Sequence, residues 1–259
     1  MEPLYIVKVG GNIIDDAEKI NSFLTAFSSV QGKKILVHGG GKLATKLATS
    51  LSIPQQMVDG RRITDAETLK IVTMVYAGWI NKNIVAKLNA MGCISMGISG
   101  ADAQTILAHK RKHNSIDYGF VGDIDQVNTQ ALMALLSQNI NIVVAPITQD
   151  ASGQLLNTNA DTVAQEIAKA MSSHFSTSLI YSFEKKGVMR DVSDENSVIQ
   201  EMNAALFKRM KEDQSIFAGM IPKLDNAFAA IAAGVSKVII GDAMELPDLI
   251  KGKSGTTIS

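Results

Sequence analysis

The sequence predicts a layered α/β sandwich with a parallel sheet at its centre. Six short runs are apolar at consecutive positions and rich in Val and Ile, which is typical of strands buried on both faces. Stretches with helical period lie between these runs, and strands that alternate with helices favour this fold class. The chain has 259 residues, of which 46% are hydrophobic, so it is long enough to bury a large core as one domain or two lobes.

The predicted elements follow one another along the chain with short connections. The strands are expected at 4–9, 34–38, 94–98, 141–146, 178–182 and 237–241, and the helices at 17–29, 65–78, 161–172 and 222–233. Thr64 followed by Glu67 has the spacing of a capping box, which predicts that the second of these helices begins there. Pro222 stands where a first helical turn tolerates proline.

Two polar stretches interrupt the alternation of strands and helices. Residues 103–125 contain Y-G-F-V-G-D-I-D and predict a hairpin-like excursion. Residues 148–157 predict a second excursion, because Asp150 to Gly153 form a cluster of turn-favouring residues.

The balance of charge excludes several classes of partner. Lys plus Arg and Asp plus Glu number 25 each, so the formal net charge is zero, whereas nucleic-acid binding needs a basic face. The N-terminus has no basic stretch followed by an apolar one, and no apolar run reaches the length of about 18 residues that a membrane span needs. We therefore expect a soluble, cytoplasmic protein without a nucleic-acid or membrane partner.

Cysteine and histidine give no sign of a metal centre. The single cysteine, Cys93, lies in an apolar stretch, where we expect it to fill the core. The four histidines are scattered without the spacing of a zinc site, so no metal-ligating residues are predicted.

Two glycine clusters follow predicted strands. Gly10 and Gly11 precede Asn12 after the first strand, and the sequence H-G-G-G occupies 38–41 after the second. Glycines of this kind serve either as tight turns that need positive φ or as a cradle whose backbone N–H groups approach an anion. The carboxyl ends of adjacent parallel strands are where open α/β sheets bind ligands, which favours the cradle.

Other glycine motifs are incomplete. Gly39-x-Gly41-x-x-Ala44 fits the dinucleotide fingerprint, but Pro54 breaks the region where its acidic strand end is required, so a nicotinamide oxidoreductase stays a weak alternative. The end of a phosphate-binding loop at 252–254 would need its first glycine at Pro247. The near-match to a nucleophile elbow at 97–101 has no histidine or aspartate that the sequence pairs with it.

A few charged and polar residues stand at positions suited to an anionic ligand. Lys8 is the only charge in the first strand and precedes the first glycine cluster, while Lys223 begins a predicted helix. Arg61 and Arg62 form either a solvated basic turn or a clamp for a carboxylate. The sequence N-T-N-A-D at 157–161 opens a helix, and one of its polar residues is expected to be the N-cap.

Taken together and in order, these motifs resemble the amino acid kinase family. They are K-V-G-G-N at 8–12, H-G-G-G at 38–41, G-R-R-I-T at 60–64, N-T-N-A-D at 157–161, A-G-M-I-P-K at 218–223 and G-T-T-I at 255–258. Each is weak alone, but the set covers essentially the whole chain. Within the family, the set is most similar to the members that act on N-acetylglutamate in arginine biosynthesis.

The resemblance implies an open three-layer αβα sandwich with a central, mostly parallel sheet and two lobes. Residues 1–175 would bind the acylglutamate and form a homodimer, and residues 176–259 would bind ATP. Because the chain begins almost at its first strand, the resemblance also implies a dimer without arginine feedback.

The resemblance further implies a role for individual residues. Lys8 and Lys223 would stabilise the transferring phosphoryl group, and Asp161 would hold these lysines in place. The acylglutamate contacts would come from Gly40, Gly41, Arg62, Asn157 and Asn159, with Arg62 on a substrate carboxylate. The nucleotide contacts would come from Gly10, Gly11, Asn12 and Glu184, with Gly11 and Gly40 as backbone donors to phosphate oxygens and with Mg²⁺ held mainly through the phosphates of ATP.

Elementary chemistry agrees with such a site. A glutamate side chain has a reference pKa near 4.3, so at pH 7 it is already an anionic nucleophile that needs no general base. The site has to align it with the γ-phosphate and to neutralise charge on the transferring oxygens, which two lysines, Mg²⁺ and aimed N–H groups can do.

The sequence departs from the family pattern in places that leave alternatives open. F-E-K-K-G-V at 183–188 replaces the usual aspartate and short apolar turn, with Glu184 in the place of the aspartate, and F-A-G-M at 217–220 replaces paired glycines. Acetyl is the expected acyl group and succinyl is the alternative. Glutamate 5-kinase, carbamate kinase, uridylate kinase and a non-catalytic ligand sensor on the same fold are the other hypotheses.

Overall fold

The computed structural model of the protein describes residues 1–58, 61–191, 194, 197–213, 215–216 and 220–259, with only the backbone of 222. The strands are β1 Pro3–Val9, β2 Lys33–His38, β3 Met57–Val58, β4 Arg61–Arg62, β5 Ser95–Ile98, β6 Ile106–Lys110, β7 Gly122–Val127, β8 Asn141–Val144, β9 Ile147–Gln149, β10 Leu155–Asn157, β11 Ser176–Phe183, β12 Glu201–Met202, β13 Lys237–Asp242 and β14 Thr256–Ile258. The α-helices are α1 Gly11–Ile14, α2 Ala17–Ser29, α3 Gly41–Ser50, α4 Ala66–Thr73, α5 Asn81–Ala90, α6 Thr129–Ser137, α7 Ala160–Met171, α8 Ala204–Glu212, α9 Ile221–Ala232 and α10 Leu246–Ile250.

The main sheet has eight strands in the order β12-β14-β13-β11-β1-β2-β8-β5. Every neighbouring pair in it is parallel except β13 and β14, so the sheet is mostly parallel. All six predicted strands lie in this sheet. The predicted α/β class and its mostly parallel sheet are therefore confirmed.

Helices cover both faces of the main sheet and form a core on each. In β1, Leu4 and Ile6 belong to one buried cluster and Val7 and Val9 to the other, because successive side chains of a strand point to opposite faces. The first cluster includes side chains of α6, α7, α8 and α9, and the second includes side chains of α2, α3, α4, α5 and α10. The result is the expected three-layer arrangement. Cys93 is buried in the second cluster, as predicted.

The predicted helix at 65–78 is longer in the structure and begins differently. A π-helical segment, Met74–Ile80, joins α4 directly to α5. The N-cap is Asp65, whose carboxylate accepts from the Thr68 N–H at 2.7 Å, so the predicted capping box of Thr64 and Glu67 is wrong. Thr64 instead pairs with the 103–125 segment, where its N–H donates to Tyr118 O at 3.0 Å.

The two predicted polar excursions are hairpins, and they join into one small sheet. Strands β6 and β7 pair antiparallel, as do β9 and β10. Parallel pairing of Leu107 with Gln149 connects the hairpins into the order β10-β9-β6-β7. A bridge between Val121 and Asn157 ties the end of the second hairpin to the first.

The main sheet is continuous across the predicted lobe boundary at 175/176. Strand β1 lies between β2 and β11, so strands from both proposed lobes share one hydrogen-bonded ladder. The division into an acylglutamate lobe and a nucleotide lobe stays a prediction. Among the described helices, none combines the length and apolar character that crossing a bilayer requires.

Candidate active site

The two glycine clusters lie side by side at the carboxyl edge of the main sheet. Val9 pairs with His38 in the parallel ladder of β1 and β2, so the residues that follow each strand are neighbours. Gly10 and Gly40 are the N-caps of α1 and α3. The first N–H groups of a helix have no partner within the helix, so both clusters present backbone donors at this edge.

Gly40 is at a position that strongly favours glycine. Its φ is +150°, and a Cβ atom there would overlap Ile80 and approach Tyr76 Cδ1 to 3.1 Å. The positive φ and the packing of the π-helical segment against the loop therefore both favour a residue without a side chain. This explains why the backbone of the H-G-G-G sequence, and not a side chain, lines the space above it.

A cleft of about 200 Å³ opens beside this loop. Its lining includes the expected acylglutamate contacts Gly40, Gly41, Arg62, Asn157 and Asn159. The structure thus brings together five residues that are separated by up to 119 positions in the chain. Gly60, Ala218 and Gly219, which belong to the resembling motifs, lie outside the described residues.

Arg62 is held rigidly at one side of the cleft. Only 8% of the residue is exposed, and its Nη2 donates to Gly41 O at 2.9 Å and to Thr45 Oγ1 at 2.8 Å. Its Nη1 donates to Gln55 Oε1. In the described part of the chain no carboxylate forms an ion pair with Arg62, so this nearly buried positive charge can be neutralised by the carboxylate of a ligand.

The two asparagines of N-T-N-A-D make different contacts. Asn157 Nδ2 donates to Thr64 Oγ1 at 3.0 Å, at the end of β10. Asn159 is the N-cap of α7, and its side-chain oxygen accepts from the N–H groups of Asp161 at 2.8 Å and Thr162 at 3.2 Å. The expected N-cap within this motif is therefore Asn159.

The two predicted catalytic lysines lie in different surroundings. Lys8 Nζ is 2.8 Å from Asp161 Oδ1, and the two side chains are 18% and 35% exposed. The exposed Lys223 lies with Nζ 4.9 Å from the centroid of the Phe183 ring. The structure therefore joins Lys8 to Asp161, whereas the contact it gives Lys223 is with the aromatic ring at the end of β11.

The predicted nucleotide contacts also group together. Asn12 Nδ2 donates to Glu184 Oε2 at 2.7 Å, and Lys19 Nζ lies 2.9 Å from Glu184 Oε1. The hydrogen bond from Lys19 lowers the pKa of Glu184, with Asn12 as a further cause. The Gly10 N–H donates to Ser182 O at 3.2 Å, so this donor is used to join α1 to β11.

Sequence reasoning missed several residues that shape the site. Lys19, Thr45, Gln55 and Phe183 each contact a predicted site residue, and Arg111 lines the cleft in an ion pair with Asp123. The contacting residues are between 7 positions apart in the chain, for Gln55 and Arg62, and 165 positions apart, for Lys19 and Glu184. No spacing rule reveals such pairs. Only the hairpin signal at 103–125 pointed to the region of Arg111.

The donor set suits an anion rather than a protein-bound metal. Arg62 and the glycine loop line the cleft, and Lys8 lies in the strand that precedes the first glycine cluster. Backbone N–H groups, lysine and arginine bind phosphate and carboxylate oxygens. Across the described ranges, no group of three His, Cys, Asp or Glu side chains is placed to hold a metal ion. This donor set fits the phosphate oxygens of a nucleotide.

Comparisons with known proteins agree on one family. The family model described as "Amino acid kinase family" matches residues 3–242. The acetylglutamate kinase of Cytophaga hutchinsonii is 58% identical over 251 residues, which cover 96% of this chain and 95% of that protein. The acetylglutamate kinase of Parabacteroides distasonis is 52% identical over 246 residues, which cover 95% of this chain and 96% of that protein. The crystal structure of smu.665 from Streptococcus mutans is 25% identical, with a TM-score of 0.79 over 99% and 98% of the two chains.

Proposed function

The chain belongs to the amino acid kinase family, and we propose that it transfers the γ-phosphoryl group of ATP to the side-chain carboxylate of N-acetyl-L-glutamate, giving N-acetyl-L-glutamyl 5-phosphate for arginine biosynthesis. The observation that carries this proposal is the cleft that unites the glycine loop with Arg62, which has no ion-pair partner among the described residues. The names of relatives at 50–58% identity over nearly the whole chain support the choice of substrate.

The acylglutamate would bind in the 200 Å³ cleft. Arg62 would pair with the substrate α-carboxylate, because its guanidinium is already oriented by Gly41 O and Thr45 Oγ1. Asn157 and Asn159, which also line the cleft, would contact the acylated amine. The side-chain carboxylate would then face the glycine loop at 39–41.

Charge on the transferring phosphoryl group would be neutralised from the sheet edge. The Lys8 ammonium, held by Asp161, would contact its oxygens together with the N–H groups of Gly11 and Gly40. Lys223 would approach from α9 over the Phe183 ring. Mg²⁺ carried with the nucleotide would supply further positive charge against the leaving group.

The nucleotide would lie towards the C-terminal part of the chain. Asn12, Lys19 and Glu184 form a polar group beside the first glycine cluster, while the described cleft is lined by residues up to Thr162. The cleft lies wholly within the proposed acylglutamate part, 1–175, whereas the nucleotide group would join Asn12 and Lys19 of that part to Glu184 of the proposed nucleotide part, 176–259. Both parts would share the one continuous sheet.

We also propose a homodimer. Strand β5 is the last strand on its side of the main sheet, and Met91, Ile94 and Met96 beside and within it are 41%, 58% and 43% exposed. Large apolar side chains on an unpaired sheet edge favour pairing with another chain. A cytoplasmic location is proposed as well, since ATP is the phosphoryl donor and Cys93 is a free, buried thiol.

Release of ADP tests the proposed reaction. The native chain would be assayed with MgATP and N-acetyl-L-glutamate, N-succinyl-L-glutamate or free L-glutamate. We expect turnover on N-acetyl-L-glutamate and a loss of about 10²–10³ in kcat for Lys8→Ala. Lys70→Ala is the matched control, because Lys70 forms an exposed surface ion pair with Glu67. Turnover restricted to free glutamate, or absent with all three compounds, would exclude the proposed function.

A further inference from the structure

A chain of buried polar groups lies behind the glycine loop. His38 and Asn81 are both 0% exposed. Asn81 Nδ2 is 3.2 Å from His38 Nε2, and His38 Nδ1 is 2.8 Å from Gly39 O. Neither side chain lines the cleft, so neither can touch a ligand there. Two buried polar side chains are costly to keep unless their hydrogen bonds are made.

The orientation of the Asn81 amide follows from the partners that have only one hydrogen-bonding role. Val143 O can only accept, and it lies 3.0 Å from Asn81 Nδ2. The Lys82 ammonium can only donate, and its Nζ lies 3.2 Å from Asn81 Oδ1. The amide nitrogen therefore faces both Val143 and His38, and the amide oxygen faces Lys82.

This orientation determines the tautomer of His38. Since Asn81 Nδ2 is a donor, His38 Nε2 has to be the acceptor, and the single ring proton of a neutral imidazole is on Nδ1. Nδ1–H then donates to Gly39 O, which is an obligatory acceptor. The ring stays neutral because burial, with a contribution from the Lys82 charge, lowers the pKa of His38 to about 4.

The bond to Gly39 O in turn orients the next peptide N–H. The peptide bond between Gly39 and Gly40 is trans, so the Gly40 N–H points away from the Gly39 carbonyl. Gly40 lines the cleft. Glycine populates both signs of φ with similar ease, so the loop itself does little to prevent rotation of this peptide.

We infer that Asn81 is a positioning residue, which holds His38 in its Nδ1–H tautomer and thereby aims the Gly40 N–H into the cleft. The role of that N–H, to bind the transferring phosphoryl group, rests on the proposed function. The tautomer does not rest on it, because it follows from the contacts of Asn81 alone. The exposed Lys82 holds the amide oxygen of Asn81 from the surface, and its Nζ also donates to Gly97 O at 2.9 Å.

The tautomer can be measured in the native chain without a substrate. Two-bond nitrogen–proton correlation spectra of the native chain, labelled with ¹⁵N-histidine, distinguish Nδ1–H from Nε2–H rings at pH 7. His38→Asn identifies the His38 signals by their loss. We expect an Nδ1–H ring for His38. An Nε2–H ring, or an imidazolium, in the native protein would overturn the inference.

Asn81→Asp reverses the donor that faces the ring. A carboxylate oxygen can only accept, so His38 is expected to move its proton to Nε2, which leaves an unprotonated Nδ1 facing Gly39 O. The peptide between Gly39 and Gly40 is then no longer held by His38, so we expect kcat on N-acetyl-L-glutamate to fall by about 10- to 100-fold. This loss is smaller than the loss expected when a direct donor is deleted. The KM for the acylglutamate should change by less than about threefold, because Arg62 is untouched.

Asn83→Asp is the matched control. It places the same charge two positions further along α5, where the Asn83 amide donates to Trp79 O at 2.7 Å. Its kcat should stay within about twofold of the native value. An equal loss of kcat in both variants, or none in Asn81→Asp, would overturn the positioning role.

A double variant separates positioning from general damage to the fold. His38→Asn keeps an amide nitrogen near the place of Nδ1 but cannot reach Asn81, so Asn81→Asp should add less than about threefold in that background. If the losses of kcat caused by His38→Asn and by Asn81→Asp multiply in the double variant, the two residues act independently, which would contradict the inference. If the native chain does not phosphorylate any acylglutamate, the proposed function fails, and the tautomer measurement still decides the role of Asn81.

Discussion

Lys8 Nζ lies 2.8 Å from Asp161 Oδ1, so an ion pair joins the central strand β1 to the first turn of α7. Asp161 is not the N-cap of α7, since Asn159 makes the capping hydrogen bonds. The Asp161 carboxylate is therefore free to orient the Lys8 ammonium beside the glycine clusters. The first prediction follows from this division of roles.

Asp161→Asn should reduce activity without unfolding the protein. The amide has no charge to hold Lys8, so we expect kcat to fall by about tenfold or more as the ammonium loses its fixed position. A partly exposed pair contributes at most about 1 kcal/mol to stability, so the midpoint of thermal unfolding should move by only a few degrees. Asp225→Asn, in the surface pair with Lys211 at 3.2 Å, is the control. Similar kinetics in both variants would show that Asp161 is a surface residue only.

Gly40→Ala should be damaging, whereas Gly78→Ala should not. The new methyl group at 40 would overlap Ile80 and require a φ of +150°, and we expect a loss of about 1–3 kcal/mol in the free energy of unfolding together with a loss of kcat. At Gly78 no atom outside the chain neighbours and the backbone of its own helix lies within 4 Å of the added Cβ, and the position is helical, so stability should stay the same or rise by less than about 1 kcal/mol. Urea unfolding of the two variants measures the difference.

Phe183 should affect kcat/KM for ATP because the face of its ring contacts Lys223. Lys223 Nζ lies 4.9 Å from the ring centroid, and such a cation–π contact stabilises by about 0.5–1 kcal/mol where it is exposed. Phe183→Leu should therefore lower kcat/KM for ATP by about two- to fivefold, while Phe183→Tyr, which keeps the ring, should retain it. Equal values for the two substitutions would show that Lys223 does not depend on the ring.

Stability should depend on pH through His38. Burial lowers its pKa to about 4, whereas a histidine in the unfolded chain titrates near 6.5. Between these values the unfolded chain binds a proton that the native protein does not, so the free energy of unfolding should fall by up to about 3 kcal/mol as the pH drops from about 6.5 to about 4. Above that range this contribution is complete and constant.

Urea unfolding of the native chain and of His38→Asn at several pH values between 7 and 4.5 isolates this contribution. The free energy of unfolding should fall more steeply with decreasing pH in the native chain than in His38→Asn. An equal fall in the two proteins would show that His38 does not cause the pH dependence of stability.

The association of the chain should depend on the edge strand β5. Light scattering after size exclusion should give twice the mass of the chain for the native protein, and Met96→Lys should give the monomer because it places a charge on this edge. Met244→Lys is the control, since Met244 is exposed to a similar degree, 37%, but lies outside the edge. A native monomer, or a dimer that survives Met96→Lys, would exclude this interface.

Local signals in the sequence were sufficient where a structural choice is local. Consecutive Val and Ile in runs such as 34–38 identified strands buried on both faces, and turn residues at Asp150–Gly153 identified a hairpin. One exception is the start of α4. There Thr64 and Asp65 were both chemically able to cap, and the contact of Thr64 with Tyr118, 54 positions away, decided between them.

The sequence by itself therefore determined the alternation of strands and helices, the glycine loops and the family resemblance that the order of its motifs carries. These features depend on the periodicity and the chemistry of neighbouring residues. Only the tertiary structure decided which side chains hold the site residues. Lys19 meets Glu184, Phe183 meets Lys223 and Asn81 meets His38. These pairs exist because parallel strands bring their carboxyl ends to one edge, and a parallel connection needs a long crossover that separates the partners in sequence.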